Sequence, residues 1–240
     1  MAEESGVRVA LVTGGTRGIG RAVVEALLEE GWTVDLCGHT RDSTDKAEGE
    51  LRPKYGERVA ARPCNVRSEA QVDSLVHWTL ERRGRLDLLV NNAGVGAFGP
   101  IYELSGDDAR RVIETNLLGC FYAMRAAAPA MRKRGSGWIV NIASLAGKNP
   151  FAGGSIYNAS KFGLIGMSEA AMLDLRHDGV RVAAILPGSV DTQFGLHRSG
   201  KNDWMLTAED VARAVVDLLR YPDRALPSLI ELRPSRPPKK

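Results

Sequence analysis

Short runs of Val, Ile and Leu alternate along the chain with stretches of helical period. Residues 7–13 are almost continuously apolar and predict a strand covered on both faces, since only a two-sided strand needs no polar side. Residues 19–30 recur at helical spacing and end at Gly31, a residue suited to closing a helix. The alternation continues with strands at 33–37, 59–63, 86–91, 138–143, 180–186 and 228–232. Between them fall helices from about 43, from Ser68 as N-cap to about 83, from about 106 to 134, from about 155 to 178, and from 207 to 220. Strand–helix alternation of this kind predicts an α/β fold, with helices on both faces of a parallel sheet of about seven strands. No repeat, low-complexity segment or linker divides residues 1–240, which read as one domain with its core at about 7–232. Residues 187–206 lack a clear period. A loop of that length in a compact domain is expected to be functional, here as the substrate loop.

Composition narrows the function classes. Apolar residues make up 44% and charged residues 25%, with a net charge of +3. That balance gives no basis for a nucleic-acid or anionic-membrane partner. Arg132, Lys133 and Arg134 read as solvated surface, as does the tail Lys239–Lys240. The three cysteines, Cys37, Cys64 and Cys120, have no metal or redox spacing and read as buried thiols of a reducing compartment. Of the histidines, His77 and His177 fall on helix surfaces, and no metal site is expected. No apolar run is as long as a membrane span and residues 1–4 carry no signal-peptide pattern, so a cytoplasmic protein is expected.

The chemistry begins at "TGGTRGIG", between the first strand and the first helix. Gly14, Gly18 and Gly20, with Thr16, Arg17 and Ile19, predict a Rossmann-type, doubly wound dinucleotide site. Glycines there let backbone N–H groups approach a pyrophosphate at a helix N-terminus, where the dipole favours negative charge. An NAD site carries a carboxylate at the tip of the second strand. Here the tip is Gly38, followed by His39, Thr40 and Arg41. Arg17 and Arg41 without an acid suit a 2′-phosphate, so NADP(H) is favoured over NAD(H). Asp35 lies mid-strand and has no assigned role.

Further motifs sit at the C-terminal ends of later strands or in the helices after them: "NNAG" at 91–94, "TNLLG" at 115–119, "VNIAS" at 140–144, "YNASK" at 157–161 and "PGSVDT" at 187–192. This is the edge at which doubly wound sheets bind ligands. The ordered set resembles the short-chain dehydrogenase/reductase family over about 7–232, including members similar to ketoacyl-carrier-protein reductases. The resemblance implies a catalytic tetrad of Asn116, Ser144, Tyr157 and Lys161. It also implies cofactor contacts from Gly14, Gly18, Gly20, Asn65, Val66, Asn91, Ala93, Gly94, Tyr157, Lys161, Pro187, Gly188, Val190 and Thr192. Asn65 stands where the family usually has an Asp; its carbonyl oxygen can accept the same adenine hydrogen bond. In this reading Tyr157 protonates a carbonyl oxygen as hydride arrives at carbon. Lys161 favours the phenolate and bonds the ribose, Ser144 steadies the substrate oxygen, and Asn116 holds a water in a proton relay.

The expected substrate walls are 95–99, 145–154 and 193–205, with Phe98, Phe151, Phe194, Leu196, Trp204 and Met205. They suit an apolar or aromatic carbonyl compound or its alcohol, with His197, Arg198 and Lys201 also in the loop. The apolar helices carrying Phe121, Met124, Phe162 and Met167 imply a homodimer or homotetramer. Two rivals are a non-catalytic NADP(H)-binding regulator on the same fold and a sugar-nucleotide epimerase. The intact tetrad opposes the first. The second needs a larger C-terminal substrate domain than the residues after Gly188 provide.

Overall fold

Alternate residues of each strand feed two different cores, which is why the strands read as unbroken apolar runs. Ala10, Val12, Val34, Leu36, Val90 and Val140 belong to one core, with Val23, Leu27, Leu51, Val211 and Val215 from the helices on that face. Leu11, Leu89, Ile139 and Val182 belong to the other, with Leu75, Val76, Ala123, Ala127 and Met131. Each fully buried Leu or Ile contributes roughly 1.5–3 kcal/mol of transfer free energy.

The computed structural model describes residues 6–192 and 203–238. Its elements are β1 (Val9–Thr13), α1 (Gly18–Glu29), β2 (Thr33–Gly38), α2 (Arg41–Tyr55), β3 (Val59–Pro63), α3 (Glu69–Arg83), β4 (Leu88–Asn91), α4 (Gly106–Ile113), α5 (Gly119–Arg134), β5 (Gly137–Ile142), α6 (Ser155–Leu175), β6 (Val180–Pro187), α7 (Ala208–Leu218) and β7 (Leu229–Leu232). The seven strands form one sheet in the order β3-β2-β1-β4-β5-β6-β7. Every pair is parallel. The strand order reverses between β1 and β4, and this topological switch point opens a crevice at their C-terminal ends.

The helix expected over 106–134 differs in one respect. A π turn at Glu114–Leu118 separates α4 from α5, and Asn116 lies within it, fully buried. A wide turn of this kind accommodates one extra residue and often marks a functional position. The helix expected to reach 178 ends at Leu175, with a short 3₁₀ turn over Arg176–Asp178. The substrate loop is pinched at its base. Asp191 N donates to Leu206 O at 2.8 Å and Leu206 N to Ser189 O at 3.0 Å. Phe194, Leu196, His197, Arg198 and Lys201 lie outside the described residues. No helix among the described residues is long and apolar enough to cross a membrane.

Candidate active site

Two glycines of the first loop hold left-handed backbone, Gly14 at φ 65° and Gly18 at φ 54°. Gly20 is required by contact. A Cβ there would stand 2.2 Å from Gly14 O and 2.3 Å from Asn92 Nδ2. The helix this loop opens has no side-chain cap at its N-terminus, whereas Thr40, Ser68, Ser105 and Thr207 cap α2, α3, α4 and α7. Uncapped N–H groups over a glycine turn fit a pyrophosphate, which would take the place of the missing cap. Ile19 is partly buried against the α1 core, and Thr16 packs where a Cβ on Gly38 would come within 2.6 Å of its methyl.

Gly38 ends β2, and His39, Thr40 and Arg41 follow it at the surface. Arg17 and Arg41 are exposed and make no ion pair with the described residues. Asp35, without a role in the sequence, turns away from this edge. It is wholly buried and its Oδ1 accepts from Arg83 Nε at 3.0 Å and Nη2 at 2.8 Å. Burial pushes its carboxyl up, opposed by the Arg83 guanidinium. The expected adenine contact at Asn65 is partly used locally, because its Oδ1 accepts from Arg67 N at 3.2 Å and Nε at 3.4 Å. Val66 beside it is buried.

The loop after β4 is laced to the glycine loop. Thr13 Oγ1 accepts from Asn92 N at 3.1 Å and Ala93 N at 3.2 Å. Asn92 Nδ2 donates to Thr13 O and Gly14 O at 3.1 and 3.0 Å. Asn91 is buried and donates to Asn141 Oδ1 at 2.8 Å, so its side chain braces the strand ends. Gly94 leaves space over the tetrad: a Cβ there would be 3.4 Å from Asn116 Oδ1 and 4.0 Å from Lys161 Nζ. Across the crevice, Gly188 N bonds Leu232 O at 2.8 Å, and Val190 pairs with Leu206. Thr192 reaches back to the first loop, its Cγ2 lying 3.7 Å from a Cβ position on Gly18.

The four residues come together from three places: Asn116 from the π turn, Ser144 from the end of β5, and Tyr157 and Lys161 from α6. Ser144 follows β5, and its Oγ accepts from Ala146 N at 3.1 Å and donates to Pro187 O at 3.5 Å. It also hydrogen-bonds Tyr157. Tyr157 and Lys161 lie one turn apart on α6, with Nζ 5.9 Å from the phenol ring centroid. Lys161 is buried and donates to Ile142 O at 2.9 Å. Burial pushes its ammonium down to about 8, the Cys120 thiol acting the other way. The same burial pushes Cys120 up to about 11.

One expectation about chemistry changes. Lys161 was expected to favour the phenolate, but the Tyr157 phenol is raised. Burial around the ring outweighs the Ser144 hydrogen bond, and the ammonium is held by the Ile142 carbonyl instead of the phenol oxygen. Asn116, the residue expected to hold a water, ties two elements together through its carboxamide: Oδ1 accepts from Val95 N at 2.8 Å, and Nδ2 donates to Val95 O at 2.9 Å and Ser160 Oγ at 3.0 Å. It therefore positions the β4 loop against α6.

Sequence reasoning missed the supports. Thr13, Asn92, Asn158 and Ser160 carry bonds that hold the motifs together. Their polarity inside apolar or glycine-rich stretches was the available signal. All three cysteines are buried, as expected.

A family model described as short chain dehydrogenase matches residues 8–202. An uncharacterized oxidoreductase of Bacillus subtilis, YxjF, is 40% identical over 187 residues, covering 78% of this chain and 72% of that protein. A metagenomic short-chain oxidoreductase solved in complex with NADP superposes with a TM-score of 0.84 at 35% identity, over 96% of this chain and 98% of that one. An alcohol dehydrogenase from Thermococcus sibiricus complexed with 5-hydroxy-NADP gives 0.89 at 30% identity, over 98% and 100%. The chain belongs to the short-chain dehydrogenase family, and it is an oxidoreductase on a Rossmann-type parallel sheet.

Proposed function

We propose that this protein transfers hydride between NADP(H) and a small-molecule carbonyl or secondary alcohol, with Tyr157 as the acid and base. The observation that carries the reading is the meeting of Ser144, Tyr157 and Lys161 beside an uncapped, glycine-lined helix N-terminus. The NADP-bound relatives and the unpaired Arg17 and Arg41 support the phosphorylated cofactor. Gly14, Gly18 and Gly20 would hold its pyrophosphate, and Pro187, Gly188, Val190 and Thr192 its nicotinamide end. When bound, the nicotinamide supplies or takes up the hydride.

The chain's own residues do the rest. The raised phenol of Tyr157 keeps its proton at neutral pH, which suits an acid that delivers it to a carbonyl oxygen. Ser144 holds its Pro187 acceptor only at 3.5 Å, so its hydroxyl can turn to the substrate oxygen. Lys161, held on Ile142 O, would bond the ribose hydroxyls of the cofactor, and Asn116 ties down the loop after β4. The exposed Phe121 and Phe162 support a homodimer or homotetramer, and the cytoplasm is the proposed compartment.

NADPH absorbance is followed against a panel of ketones and aldehydes. Tyr157→Phe removes one oxygen and leaves the ring, so turnover drops by a factor on the order of 10²–10⁴ with folding and cofactor binding retained. Retention of more than about a tenth of turnover removes Tyr157 as proton donor. Cofactor binding without turnover of any carbonyl or alcohol favours the regulator.

A further inference from the structure

Three aromatic rings meet at the mouth of this site. The ring of Phe98 stands edge-on to Tyr157, with centroids 5.3 Å apart and planes at 61°. Phe151 lies 6.1 Å from the same ring, with planes at 34°. Phe98 and Phe151 therefore form a nearly continuous apolar plate, and the catalytic phenol rises from its border. A carbonyl oxygen within hydrogen-bond reach of that phenol brings the substituents of its carbon against the plate.

The plate is built into the loops. A Cβ on Gly96 would approach Phe98 Cε2 to 2.5 Å, and one on Gly154 would approach the Phe151 ring to 2.6 Å. Each ring thus lies on a glycine, and a larger residue at either position would displace it. The loops are joined by Gly99 N donating to Gly153 O at 2.9 Å. Asn158, next to Tyr157 on α6, donates to Ala146 O at 2.6 Å and accepts from Phe151 N at 3.4 Å. The catalytic helix therefore sets the plate's position. Phe151 is nevertheless 47% exposed. An aromatic surface held open beside a proton donor is suited to a substrate ring.

Charge points the same way. Residues 95–99 and 149–154 contain no ionisable side chain. Lys148, at the border, is tied to Glu231 at 2.7 Å. Nothing in these two walls would pair with a carboxylate or phosphate on the substrate.

We propose that Phe98, backed by Phe151, is a specificity-determining residue that selects carbonyl compounds bearing a flat, uncharged ring next to the reacting carbon. This rests on the carbonyl–alcohol reading above and narrows its substrate class. Stacking on the plate is made in ground and transition states alike, so it acts on KM more than on kcat.

The test compares acetophenone, 2-octanone and pyruvate with NADPH saturating. The two ketones have equal carbon counts, so their ratio isolates ring from chain. Wild-type kcat/KM favours acetophenone, and Phe98→Ala lowers the acetophenone-to-octanone ratio by about three- to tenfold, chiefly through KM. Phe98→Tyr, which keeps a ring, preserves the ratio, while Phe98→Leu behaves like the alanine variant. NADPH titration checks that each variant is folded. An unchanged ratio in Phe98→Ala and Phe98→Leu overturns the inference and leaves the oxidoreductase reading standing, as does a wild-type preference for 2-octanone or pyruvate. If no carbonyl or alcohol of the wider panel turns over, the reading above fails. The plate is then judged by saturation-transfer NMR of acetophenone on the NADP⁺-loaded protein. A transfer signal that is present in the wild type and abolished by Phe98→Ala supports the plate. A signal that survives the substitution, or is missing from the wild type, rejects it.

Discussion

Lys161 carries an ammonium into the interior, and its burial has a measurable signature. An ordinary lysine titrates near 10.5, and in the folded protein Lys161 does so at about 8. Below pH 8 both states hold the proton, and desolvation subtracts a constant amount from stability. Between about 8 and 10.5 the unfolded chain keeps the proton and the folded one has lost it, so stability rises with pH. Lys161→Met removes the buried charge. Without cofactor at pH 7 it is expected to unfold at higher temperature than wild type, by on the order of 1–3 kcal/mol, since the freed Ile142 carbonyl offsets part of the gain. The gap narrows as pH rises from 8 toward 10.5. Thermal melts across that range check it, and a pH-independent gap refutes the burial argument. The residue's place one turn after Tyr157 was legible in "YNASK". Its partner, Ile142 O, was not, because that carbonyl is brought from β5 by packing.

At the level of elements, α1 and the β2–α2 turn should share the recognition of the cofactor's phosphates. The sequence spacing was enough to place the glycine turn between β1 and α1, since left-handed backbone and close approach each demand glycine there. The missing acid at Gly38 was equally legible. Arg17→Ala with Arg41→Ala is expected to weaken NADPH about tenfold or more while NADH affinity stays within about twofold, because only the 2′-phosphate is lost as a partner. Cofactor-fluorescence titration decides it, and equal losses for both nucleotides would remove these arginines as phosphate readers. The break between α4 and α5 was hidden. A π turn leaves the apolar periodicity of 106–134 nearly intact, and the turn is evident only in how Asn116 bonds Val95 and Ser160.

At the level of the whole molecule, the helices on one face present apolar side chains beyond those the sheet covers. Phe121 is 43% exposed on α5, and Phe162 and Leu173 are 45% and 52% exposed on α6. Isologous pairing of such faces is the expected way to bury them. Sedimentation at micromolar concentration should give a species heavier than the 26.0 kDa chain. Phe121→Asp with Phe162→Asp should shift it to monomer without unfolding it. A wild-type monomer would count against the pairing.

The order of strands and helices, the parallel sheet, the glycine turn and the placing of Tyr157 and Lys161 one helical turn apart were readable from the chain because each rests on local rules. A two-sided strand must be apolar throughout, a phosphate turn must be glycine, and a helix sets i and i+4 on one face. What folding alone settles is which groups face which across long separations. Asp35 had no assigned role in the sequence, and it pairs with Arg83 from α3. Asn65 reads like an adenine acceptor, yet its oxygen is shared with Arg67. Phe98 and Phe151, more than fifty positions apart, become one surface because a Gly99–Gly153 hydrogen bond closes two loops over the switch point. Those pairings depend on strand order and loop closure, for which a one-dimensional pattern has no term.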